Sequence, residues 1–132
     1  MKRITTAAAL WGLMLGTLHA ETGETLFDAH CAACHIKIKP TPAMMKELVA
    51  PPIFGVMYHV KQAFGGERKA ATDFIVAYTL NPSEAAAKCM PQAIRRFGLM
   101  PSQQGAVSEA DLETIADYLY DTFPPKGFRP PM

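Results

Sequence analysis

Residues 31–35 read Cys31-Ala32-Ala33-Cys34-His35, two thiols and an imidazole within five positions. On a helical turn, side chains three and four apart share one face, so Cys31, Cys34 and His35 can all meet a single flat ligand. Ala32 and Ala33 keep the turn small. Two simpler uses of these residues fail on context. A redox-active Cys-x-x-Cys pair belongs to a βαβ setting, and no segment of this chain shows the sustained alternation of a strand. A zinc site needs a second pair of ligands. Beyond an N-terminal stretch that reads as a leader, only Cys89, His30 and His59 remain.

The pentapeptide Cys-x-x-Cys-His is the pattern of covalent haem attachment. Cys31 and Cys34 would bond to the two vinyl groups of the porphyrin, and His35 would supply the proximal imidazole to the iron. One covalent haem c is the expected cofactor. The chain carries no catalytic carboxylate pair, no nucleophile beside a base and no phosphate loop, so an enzyme is not expected.

At the N-terminus, Lys2 and Arg3 precede an apolar run from Ile4 to Leu18, and Ala20 suits signal-peptidase cleavage. The run, about 15 residues, is shorter than the roughly 20 needed to span a bilayer and contains Gly12 and Gly16. Residues 1–20 are therefore expected to be a removed signal peptide, with delivery to an oxidising compartment, the bacterial periplasm. Residues 21–132 then form one domain with no stable membrane insertion. Of 13 basic and 12 acidic side chains in the full chain, removal of Lys2 and Arg3 leaves 11 and 12, a formal charge of −1. That near-neutrality argues against nucleic acid as a partner.

Several further segments resemble the class I cytochromes c. Gly23 and Phe27 stand eight and four residues before Cys31, similar to the family's first helix, where the glycine lets the first and last helices cross closely and the aromatic packs beside the haem. Ala50-Pro51-Pro52-Ile53-Phe54-Gly55 is similar to the family's Gly-Pro-x-Leu-x-Gly segment. The resemblance makes the Pro51 carbonyl the acceptor for the proximal imidazole Nδ1, fixing the tautomer of His35 and strengthening its donation to iron. Ala50 departs from the family glycine. The distal ligand is sought among Met44, Met45, Met57, Met90, Met100 and Met132, because a thioether opposite an imidazole raises the iron potential. Phe97-Gly98-Leu99-Met100-Pro101 is similar to the family's distal loop and makes Met100 the choice. Cys89-Met90-Pro91 presents a second Met-Pro pair, which keeps Met90 as the rival. The implied fold is all-α, a cytochrome c fold of about four to five helices wrapped around one haem.

The periodicity predicts helices over 22–33, 42–48, 56–64, 67–79 and 108–121, with short helical stretches at 84–88 and 92–97. Ala71, Phe74, Ile75, Tyr78 and Thr79 form an apolar stripe expected to face the haem. Tyr118 matches the aromatic position of the family's closing helix. Residues 124–132 read as an extended proline-rich tail. His30 is expected to point away from the haem, and His59 to be a solvent-facing or capping residue. Cys89 is expected to be a buried small hydrophobe. Lys37, Lys39, Lys61, Lys88, Arg95 and Arg96 can supply a positive rim for a propionate or an acidic partner.

The expected function is single-electron transfer between a redox donor and an acceptor whose identities the sequence does not name. Two other readings stand beside it: a haem subunit of a larger periplasmic oxidoreductase, and a haem enzyme or gas sensor with an open distal site.

Overall fold

A computed structural model describes residues 20–130. The signal-peptide reading of residues 1–20, apart from Ala20, and the candidate Met132 lie outside the described residues. Within them are six helices and no strand: α1 (Gly23–His30), α2 (Pro42–Met45), α3 (Ile53–Ala63), α4 (Arg68–Leu80), α5 (Pro91–Phe97) and α6 (Glu109–Thr122). The expectation of four to five helices is one or two short. The shortest elements, α2 and α5, both start at proline, whose fixed φ suits the first helical position.

The starts of these helices follow from their caps. Thr22, Thr41 and Ser108 each accept a hydrogen bond from the backbone N–H three residues on, at 3.2, 3.4 and 3.1 Å. α3 closes at Phe64, and Gly65 and Gly66 follow with φ of 59° and 81°, a backbone state strained for any residue with a side chain. α4 stops at Leu80, ahead of Asn81-Pro82.

α1 and α4 both pack on α6, and α3 packs on α4. The crossing of α1 and α6 depends on Gly23. A Cβ at that position would lie 2.4 Å from the Tyr118 Cβ and 2.6 Å from the Thr114 carbonyl oxygen, far inside the roughly 3.5–4.0 Å optimum between carbons. The core at this crossing joins Leu26 and Phe27 of α1 to Leu112, Ile115, Ala116 and Leu119 of α6. Ile53 and Met57 of α3, and Val76 of α4, extend it. No helix among the described residues is long and apolar enough to cross a membrane.

Three expectations need correction. α1 ends at His30, and Cys31 to His35 continue as a hydrogen-bonded turn rather than helix. In place of a helix over 84–88, residues 84–86 form a single turn in which Ser83 Oγ accepts from the Ala86 N–H at 3.2 Å; Pro82 and Pro91 leave too little chain for a helix. The tail is not extended. It turns at Lys126-Gly127, and the Phe128 ring stacks on Phe54 at 5.7 Å and meets Tyr58 at 6.1 Å. An aromatic ring gains more by covering those apolar faces than by remaining in water.

Candidate haem site

The last turn before the site is held by the end of α1. The Phe27 carbonyl accepts from the backbone N–H groups of both Cys31 and Ala32, at 2.8 and 3.0 Å. The Cys31 carbonyl then accepts from Cys34 at 3.1 Å and His35 at 2.9 Å, closing one tight turn. That turn places Cys31, Cys34 and His35 on the wall of one cavity of about 390 Å³. The volume falls in the range of small-molecule and cofactor sites. All three cysteines are free thiols. Burial, with Cys34 adding to it, pushes the Cys31 thiol up to about 11.

His35 is fixed by its second ring nitrogen. Nδ1 lies 2.8 Å from the Pro51 carbonyl oxygen. A carbonyl only accepts, so Nδ1 carries the proton and donates it, which leaves Nε2 with its lone pair. The chain reaches this position because the Ile53 N–H donates to the Ile36 carbonyl at 3.1 Å, tying the start of α3 to the residue after His35. Burial lowers the pKa of His35, with the Pro51 hydrogen bond opposing in part. The neutral imidazole, the form that can ligate iron, is thereby favoured.

Met100 lies across α4 from these groups in sequence and also lines the cavity. Its loop is pinned to the carboxyl end of α4, where carbonyls lack helical partners. The Gln103 N–H donates to the Thr79 carbonyl at 3.0 Å, and Ser102 Oγ donates to the Leu80 carbonyl at 2.5 Å. Neither anchor is visible as a motif, because both join residues more than twenty positions apart. Met90 is 49% exposed and does not line this cavity. Met57 does line it, but it is fully buried in the core beside Ile53 of α3.

The remaining walls are mainly apolar. Phe27 of α1 and the stripe Phe74, Ile75, Tyr78 and Thr79 of α4 face inward, as do Leu112, Ile115 and Leu119 of α6. Two free thiols, an imidazole with Nε2 available, a thioether and apolar walls are a donor set that fits a covalently tethered haem.

Other candidate residues fall differently. His30 is exposed but lines the cavity, so it does not point away; it sits where α1 ends at the attachment turn. His59 lies outside the large cavity and lines a second one of about 170 Å³. Cys89 is half-buried, not buried, because it lies in the loop before α5, and it lines both cavities. Lys37 pairs with Asp28 at 2.6 Å and Glu24 at 3.0 Å, which raises its pKa and removes it from a positive rim. Arg96 donates to the Met45 carbonyl and lies over the Phe97 ring. Of the cationic side chains considered, Lys88 alone lines the large cavity. Among the described residues, no group of three or more His, Cys, Asp or Glu side chains is placed to hold a metal ion.

Comparison with known proteins gives a family and a relative. Over 115 residues the chain is 34% identical to an uncharacterized protein of Aquifex aeolicus (strain VF5), covering 78% of this chain and 74% of the relative. No solved structure matches the chain. Residues 19–119 match the family model described as cytochrome c oxidase, cbb3-type, subunit III. That match covers well over half of the sequence, and the chain therefore belongs to this family of class I c-type cytochrome domains, whose haem carries electrons.

Proposed function

We propose that this chain is an exported carrier of one covalent haem, with His35 and Met100 as axial ligands, that passes single electrons between two redox proteins in the bacterial periplasm. The observation that carries the reading is the convergence of Cys31, Cys34, His35 and Met100 on one apolar cavity. When bound, haem supplies a one-electron iron couple.

The side chains have separate tasks. Cys31 and Cys34 would tether the porphyrin through thioethers, so that the cofactor stays with the carrier. His35 would donate to iron from Nε2, while the Pro51 carbonyl holds its ring orientation. Met100 would present a soft thioether to the iron and so keep the site closed to small ligands. Phe27, Ile75 and Leu112 exclude water from the site, which favours a raised potential. Leu99, 40% exposed, and Val49, 64% exposed, line the cavity at the surface, where a partner can approach the haem edge.

The family description supports a second reading, in which the chain serves as a haem-bearing subunit of a larger oxidoreductase. One experiment separates these readings and the open-site sensor. The purified chain is weighed intact, reduced and exposed to carbon monoxide. A carrier shows a single haem mass adduct, lost in the Cys31→Ser/Cys34→Ser variant, no carbon monoxide spectrum and purification without a partner. Ready carbon monoxide binding contradicts the closed site, and a stoichiometric co-purifying protein favours the subunit.

A further inference from the structure

The second cavity gathers donors that the haem does not use. It lies between α3 and the start of α5, and His59, Cys89 and Met90 line it together with Pro51, Gly55 and Val56. Imidazole, thiolate and thioether all suit copper, and two soft sulfur donors favour its monovalent form. The hard divalent ions, which prefer carboxylate, carbonyl and water oxygens, gain nothing from a thioether. His59 comes from α3 and the two sulfur donors from the adjacent loop, so two separate elements frame the site.

The positions of these side chains suit metal capture. His59 and Cys89 are partly buried, Met90 is 49% exposed, and Met90 does not line the large cavity. The Tyr58 and His59 rings meet nearly perpendicular, at 5.4 Å and 85°, which limits the orientation of the imidazole. The lining around the three donors is mainly apolar, with Val56 and Ala93 beside the single amide of Gln92. A weakly hydrated monovalent ion enters such surroundings at lower cost than a divalent one.

We propose that His59, Cys89 and Met90 form a binding site for one Cu(I) ion, separate from the haem. On binding, the Cys89 thiol loses its proton to solvent and a sulfur–copper bond forms; no electrons change hands. Cys89 and Pro51 line both cavities, so the ion would sit directly behind the wall that orients His35.

The haem-loaded protein tests this by anaerobic titration with Cu(I) held by a chromophoric chelator of known affinity. The site should withdraw one equivalent per chain, with the haem spectrum retaining its methionine-ligated form. Cys89→Ser should weaken binding at least tenfold, and His59→Ala and Met90→Leu should each weaken it several-fold. Met90→Leu replaces an exposed side chain and keeps the test valid if the Cys89 variant fails to fold. Absence of copper uptake overturns the proposal, as does uptake unchanged in these variants. Uptake that abolishes the methionine-ligated spectrum also overturns it, by placing the ion in the haem cavity.

Discussion

Replacing Gly23 by alanine adds one methyl group at the tightest point of the α1–α6 crossing. Its Cβ would meet the Tyr118 Cβ at 2.4 Å and the Thr114 carbonyl at 2.6 Å. Neither atom is the free end of a flexible chain, so the helices must separate by about 1 Å to restore contact near 3.5 Å. That shift loosens Leu26 and Phe27 against Leu112 and Ile115, and overpacking of this kind costs about 1–3 kcal/mol. Alanine's helix preference offsets under about 1 kcal/mol, less at a first helical position. The net loss is about 1–2 kcal/mol. For a domain of this size that lowers Tm by roughly 4–10 °C, measured by helical circular dichroism of the haem-loaded protein. Gly55 is the control, because nothing lies within 4 Å of its added Cβ. Gly55→Ala should leave Tm unchanged or raise it slightly. A Gly23→Ala variant as stable as Gly55→Ala would refute the close-crossing argument.

The Arg68 guanidinium pairs with Asp117 at 2.7 Å and with Asp121, holding the Asp121 carboxyl below its ordinary 3.8. A depressed folded-state pKa contributes stability above the unfolded value that is lost as pH falls through the folded one. Arg68→Ala should therefore lower Tm at pH 7, and the difference from the parent should shrink as pH falls through the lowered Asp121 pKa, and in high salt, followed by thermal melts. Phe128→Ala removes two aromatic contacts and should cost about 1–2 kcal/mol in denaturant unfolding, whereas an extended tail would make the change neutral. Met90→Leu should leave the optical spectrum of the haem unchanged, because Met90 lies outside the large cavity.

Much of the architecture was legible because it is encoded locally. The spacing of Cys31, Cys34 and His35 survives as a tight turn even though α1 ends before it, since backbone bonds to the Phe27 and Cys31 carbonyls keep the three side chains together. The Ser108 cap, the stop at Asn81-Pro82 and the α4 stripe likewise depend on neighbours in sequence. Gly23 was legible through family resemblance alone; its physical reason lies in Tyr118, about 95 positions away. Contacts of that range hid the rest. Glu24 and Asp28 neutralise Lys37, Phe54 draws in Phe128, and the end of α4 receives Ser102 and Gln103. Cys89 looked like an isolated hydrophobe because its neighbours His59 and Val56 lie thirty or more residues earlier.

The central claim is that His35 and Met100 are the axial pair. It is tested most directly by the optical spectrum of the oxidised, haem-loaded protein and of Met100→Ala. The account predicts a weak long-wavelength sulfur-to-iron band in the parent and its loss in the variant, with carbon monoxide then binding the reduced form. Persistence of the band in Met100→Ala, or its absence from the parent, would contradict the assignment.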